Sequence, residues 1–368
     1  MKDIEKINAS KQIAQELIKF SFPLIMSGIL QQLYNWVDAF IIGNVEGDLA
    51  LAAIGATTTV INFYINAITG FSLGLTILLA QKSGQRNYEQ FNRVLSMFTM
   101  ILGGIFTVAS IGGIIFVNPV LYMLHTTGDT FMLAKDYLRI ILAGIPVLAV
   151  YNVYSAALRG TGDSKSPFYS VLVSSIINIG LDILFVAVLH WNVTGAAIAT
   201  VISQAVMTIF LIIYGMKKHS HICFKVKWDL RLLKEGCKFG IPPMLQSSIS
   251  SAGNLILQRF MNGFGTYTVT AITTAYRVDS IIMLPIINLG SGISTMVAKQ
   301  NGSGGKSKAR QIFKIGTILM VGIALFLTAL IIPFGGTLVS LFGASYEVSI
   351  IGKNFFHGLH VFILCLRL

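Results

Sequence analysis

The chain has 368 residues, of which 54% are hydrophobic and only 11% charged. Soluble domains carry about a quarter charged residues, so a water-soluble globular fold is excluded. Its apolar runs approach ~20 residues, which also excludes an outer-membrane barrel built from strands of ~10 alternating residues. The net charge of +12 falls in alternate inter-helix segments, and so reads as membrane topology rather than nucleic-acid binding.

In chain order, residues 1–16 form a polar amphipathic lead-in without the apolar core of a cleaved signal. Membrane spans are expected at 17–43, 50–79, 94–116, 134–158, 166–189 and 193–216. A basic linker, 217–234, precedes further spans at 235–262, 268–298, 312–333 and 350–366. Basic residues such as Lys19, Lys82, Arg86, Arg159 and Lys165 mark one set of segments, and Glu46, Asp48, Asp129 and Glu347 mark the other. The positive-inside rule then places the amino terminus in the cytoplasm and the chain, multi-pass, in the plasma membrane. Cys223, Cys237 and Cys365 have neither disulfide nor metal spacing.

The two halves repeat. Phe20-Ser-Phe-Pro23 returns as Phe239-Gly-Ile-Pro242, and Gly74, Ala80 and Gly84 return as Gly292, Ala298 and Gly302. A nearly constant offset and an even number of spans per repeat predict an axis along the membrane normal. The expected fold is therefore an all-α polytopic membrane protein with an amino-terminal lobe over 1–216 and a partial second lobe over 235–368. About ten spans are expected, with counterparts of spans five and six missing, as in a fragment or truncated form of a twelve-helix protein.

Few polar groups interrupt the spans. Asn178 and Asp182, four residues apart, share a helix face in span five. Asp38 lies in span one and Thr200 in span six, at heights matching Asp182 when counted at ~1.5 Å per residue. A carboxylate at the bilayer centre is expensive, ~2.5 kcal/mol or more, and so is a functional candidate by default. Two carboxylates, an amide oxygen and a hydroxyl suit a small hard cation such as Na⁺. Two neighbouring carboxylates also repel and can hold a proton instead, and the residues do not choose between these. Each could otherwise simply bond a neighbouring helix.

Tyr34 and Asn35 flank Asp38 on one face, and Tyr137 lies near the outer entry of span four; these three are supporting candidates. Arg277 and Asp279 in span eight form a second polar pair, two apart and so not facing each other, with a gating or structural role expected. Arg259, close to a span end, is explained by snorkelling. Pro23, Pro146, Pro242, Pro243 and Pro285 permit bends. No phosphate loop, zinc-helix motif or nucleophile elbow is present, so no enzymatic activity is expected.

Several stretches resemble the multidrug and toxic compound extrusion (MATE) family, and its DinF-like branch in particular. They are Pro23, Tyr34-Asn-Trp-Val-Asp38-Ala-Phe-Ile-Ile-Gly43, Leu158-Arg-Gly-Thr-Gly-Asp163, Asn178-Ile-Gly-Leu-Asp182, Gly195-Ala-Ala-Ile-Ala-Thr200 and Ala275-Tyr-Arg-Val-Asp279. The resemblance implies two six-helix lobes in a V, the second incomplete here. It also implies a secondary antiporter, without an organic cofactor, exporting small hydrophobic or cationic compounds in exchange for Na⁺ or H⁺. It implies a cation site at Asp38, Asn178, Asp182 and Thr200, and a monomer in the bilayer with no nucleic-acid partner. Span seven carries no interior acid, unlike another branch of the family. Rival readings are a lipid-linked oligosaccharide flippase, for which only Arg277 is suitably placed to meet pyrophosphate, and a non-transporting fragment. An intramembrane Mg²⁺ enzyme lacks the clustered acids it would need.

Overall fold

A computed structural model describes the backbone of residues 2–261, apart from 125 and 127, and of 266–340 and 350. The described chain is helical: α1 (Lys2–Val45), α2 (Asp48–Gly84), α3 (Tyr88–Ile115), α4 (Val117–Met123) and α5 (Gly128–Thr161) come first. They are followed by α6 (Lys165–Asp182), a π-helical turn (Ile183–Val188), α7 (Asn192–Lys218), α8 (Leu230–Met261), α9 (Thr266–Gly302) and α10 (Lys306–Ser340). Expected spans one to nine correspond to α1, α2, α3, α5, α6 with its π turn, α7, α8, α9 and α10. Eight helices among the described residues are long and apolar enough to cross a membrane. The exception is α8, whose middle reads Pro-Pro-Met-Leu-Gln-Ser-Ser-Ile-Ser-Ser. The expected span at 350–366, the side chains of Arg259 and Arg277, and Cys365 lie outside the described residues.

Helix ends differ from the apolar runs because capping, not hydropathy, sets them. Asp229 Oδ1 accepts from the backbone N–H groups of Arg231 and Leu232, at 3.0 and 3.3 Å, so α8 starts at Leu230 rather than 235. The linker is thereby shortened to 219–229, against the expected 217–234. It is also pinned to α3. Asn92 Nδ2 donates to the His221 carbonyl at 2.8 Å, Asn92 Oδ1 accepts from Cys223 N–H at 3.1 Å, and Ser96 Oγ accepts from Lys225 N–H at 2.7 Å. Cys223 and Cys237 are free thiols.

The chain forms two compact units. One comprises Phe22–Ile249 and Thr295–Ala309. At its centre α5 packs along α2, α3 and α7, and α6 lies against α7. Leu75, Leu79, Phe98, Leu142, Ala149 and Val153 are among the residues buried there. Backbones approach closely where side chains vanish: a Cβ on Gly74 would collide with the backbone of Phe239 and Gly240. One on Gly84 would collide with Lys299, and one on Gly302 with Gln81. These last two contacts are reciprocal, since Gln81 and Lys299 stand at the same offset as Gly84 and Gly302.

The other unit comprises Met1–Ser21, Ser250–Ser294 and Arg310–Leu368. Within it a Cβ on Gly292 would meet the side chains of Ser21 and Phe20, the repeat counterparts of Gly240 and Phe239. The internal repeat read from the sequence is thus a repeat of contacts: in each case the second helix of one repeat presses a glycine onto the first helix of the other.

Candidate cation site

Asp38, Asn178, Asp182 and Thr200 all belong to the unit centred on α5. Asp38 stands seven residues before the end of α1 at Val45, Asp182 six before Val188, and Thr200 eight after the start of α7 at Asn192. At ~1.5 Å per residue the three are level to within about 3 Å, as expected from spacing. Asp182 and Asn178 are buried, 0% and 1% exposed. Asp38 and Thr200 are half-buried.

The carboxyls of Asp38 and Asp182 lie at hydrogen-bonding range of each other. Both are acceptors only when ionised, so the contact satisfies neither without a proton or a cation between them. The neighbouring polar atoms are in the same condition. Both oxygens of Asp182, Asp38 Oδ1, the amide oxygen and nitrogen of Asn178, and Thr200 Oγ1 are buried without a hydrogen-bond partner. Buried polar groups in native proteins are overwhelmingly paired, so a cluster of oxygens without protein partners marks a candidate site. Among the described residues no group of three His, Cys, Asp or Glu could hold a metal ion. A cation here would instead be held by a mixed set of carboxylate, amide and hydroxyl oxygens.

Of the supporting candidates, Tyr34 lies within electrostatic range of Asp38, and Tyr137 within range of Asp38, Asp182 and Tyr34. Tyr137 is therefore closer to the centre of the site than its position near a span end suggests. Asn35 is exposed, and the structure does not bring it to the pair. Asp279 is half-buried in α9 within electrostatic range of Tyr276.

An apolar cluster closes one side. Ile42, Val186, and Ala196 with Ala197 lie one helical turn from Asp38, Asp182 and Thr200, each toward the Val45 end, and Tyr137 packs among them. Val186 reaches this cluster from the π turn that begins directly after Asp182. Single π turns inside helices concentrate at functional sites. Hydropathy carries no trace of this one, because a π turn changes hydrogen-bond spacing and leaves composition alone.

At the opposite end of the unit lies a second polar cluster, around Asp163. Asp163 Oδ1 accepts from the backbone N–H groups of Lys165 and Ser166, both at 3.1 Å, and so caps α6. Its Oδ2 meets Lys218 Nζ at 3.0 Å and His219 Nε2 at 2.9 Å. Burial pushes the Asp163 carboxyl up, but the bonds from Ser166, His219 and Lys218 outweigh it and hold the group at about 2. A glycine that ends one helix immediately before an acid that caps the next was the available signal.

The MatE family profile matches residues 23–184 and 242–367. Similar curated proteins include the probable multidrug resistance proteins YpnP and YoeA of Bacillus subtilis (strain 168). YpnP is 27% identical over 93% of this chain and 77% of its own length; YoeA is 29% identical over 89% and 73%. The multidrug export protein MepA of Staphylococcus haemolyticus (strain JCSC1435) is 24% identical over 92% of this chain and 75% of its own. Among solved structures, an outward-facing MATE transporter of the MOP superfamily superposes with a TM-score of 0.88 at 23% identity. It covers 96% of this chain and 80% of the other. A MOP superfamily transporter from Pyrococcus furiosus gives 0.87 at 23% identity, covering 95% and 78%.

Proposed function

The chain belongs to the MatE family, and from that premise we propose that it is a cation-coupled exporter of small hydrophobic or cationic organic compounds. The multidrug names of its relatives support the substrate class. The observation that supports the coupling site is the facing of Asp38 and Asp182, two carboxyls at hydrogen-bonding range, amid the oxygens of Asn178 and Thr200 that have no protein partner. Either a proton shared by the pair or Na⁺ coordinated by the four residues satisfies these atoms. Occupancy draws α1, which carries Asp38, onto α6 and α7. The resulting repacking or bending of α1 within the amino-terminal lobe, residues 1–216, displaces substrate outward. Arg277 and Asp279 then serve the second lobe as a gating or structural pair rather than as ion ligands.

Asp182→Asn tests this reading. Efflux from cells should be abolished while the chain still inserts in the membrane at normal abundance; retained efflux rejects the assignment. Thermal stability of the purified protein decides the ion. A saturable rise with Na⁺, lost in Asp182→Asn, identifies sodium coupling, and a response to pH alone identifies proton coupling.

A further inference from the structure

The unit centred on α5 contains a cavity of about 360 Å³ at the end where α2, α5, α7 and α9 terminate, well away from the cation site. Its lining includes Arg86, Tyr88, Thr161, His219, His221 and Lys299, and no Asp or Glu. Its volume is within the range of small-ligand pockets. We propose that this cavity binds a phosphomonoester, held by Arg86 and Lys299, either as the headgroup of an anionic lipid or as a free phosphate compound.

Three observations carry this. First, two basic side chains face a space without a counter-ion: among the described residues neither Arg86 nor Lys299 has an acidic partner. Lys299 Nζ spends one donor on the Thr161 carbonyl at 2.7 Å and keeps two. A phosphomonoester, with a charge near −2, is opposite to the two in sign and comparable in magnitude.

Second, helix carboxyl termini ordinarily attract cations, which could by itself explain basic residues here. In α2, α5 and α9, however, two last-turn carbonyls each are already capped by backbone, and only the Thr161 carbonyl takes a basic side chain, that of Lys299. Asn87 N–H bonds Lys82 O and Arg86 N–H bonds Ser83 O; Asp163 N–H bonds Leu158 O and Gly162 N–H bonds Arg159 O. Gly305 N–H bonds Gln300 O and Gly304 N–H bonds Asn301 O in the same way. The left-handed residue of the second and third caps is glycine, Gly162 at φ +96° and Gly304 at φ +82°. In the first it is Arg86, at φ 54°, the repeat counterpart of Gly304. An arginine held in a conformation that favours glycine points to a use for its guanidinium.

Third, His221 Nε2 is buried with no hydrogen-bond partner. Its ring lies 4.1 Å from that of Tyr88 in a tilted contact, and burial, then the nearby His219, lower its pKa from the ordinary value.

The test is thermal unfolding of the full chain in detergent, with glycerol 3-phosphate and short-chain dioctanoyl phosphatidic acid as probes and potassium chloride at matched ionic strength as control. At least one probe should raise Tm saturably by about 3 °C, and chloride should not. The rise should be lost in Arg86→Gly, which keeps the left-handed turn and folds at least as stably, and in Lys299→Gln, which can still donate to Thr161. A response to the phosphatidic acid alone assigns the site to a lipid headgroup, and a response to both admits the free compound. No saturable rise with either probe, a rise equalled by chloride, or one undiminished in both variants overturns the proposal.

Discussion

His219 Nε2 stands 2.9 Å from Asp163 Oδ2, fastening the segment after α7 to the turn between α5 and α6. The same oxygen takes Lys218 Nζ, and the side chain of Asp163 is almost wholly buried. Removing the acid leaves two donors and the first N–H groups of α6 without their acceptor. Asp163→Ala should cost on the order of 3 kcal/mol, read as a lowered Tm in detergent. The pH dependence follows from the depressed carboxyl. Its folded value of about 2 lies below the ordinary 3.8, so the stabilisation is complete above about pH 4 and is lost as pH falls through about 2. Asp163→Asn should flatten that part of the profile, and an unchanged acid transition would show that other groups govern it.

Gly84→Ala and Gly302→Ala each drive a methyl into the backbone of the facing helix end, where nothing can rotate aside. Each should destabilise by about 1–3 kcal/mol. Gly55→Ala is the control: it is helical with open space around its Cβ position, and the change should be neutral or stabilising by up to ~1 kcal/mol. Ranking the three by Tm tests whether the reciprocal contact is as tight as described.

Asn92 fixes the linker with one donor and one acceptor. Asn92→Ala frees a buried amide and carbonyl at a cost of about 1–3 kcal/mol, so local opening should rise about tenfold. Limited trypsin digestion at Lys225 and Lys227 should quicken correspondingly, with global Tm little changed.

Thr200 Oγ1 is buried and unpaired. Thr200→Val removes a polar atom that the protein itself does not satisfy, so stability without ion should hold or improve by about 1 kcal/mol. The response to Na⁺ or pH should weaken in the same variant. A variant that loses stability and keeps the ion response would move the site elsewhere.

Among the described residues, hydropathy located the helices α1 to α10 save the short α4 and the more polar α8, because burying backbone in lipid forces a crossing segment to be an apolar helix. Spacing was enough to level Asp38, Asp182 and Thr200, since helical rise is nearly constant. The repeat was equally legible at Gly74 and Gly292, each of which leaves little room for a Cβ against the facing helix. What spacing could not decide was rotation about each helix axis and the pairing between elements distant in sequence. Tertiary packing turned Asp38 and Asp182 toward one another, brought Tyr137 beside them and left Asn35 exposed. It placed a π turn after Asp182 and joined Arg86 to Lys299 around one cavity. These depend on side-chain interlocking between helices far apart in the chain, and no single stretch of sequence contains that.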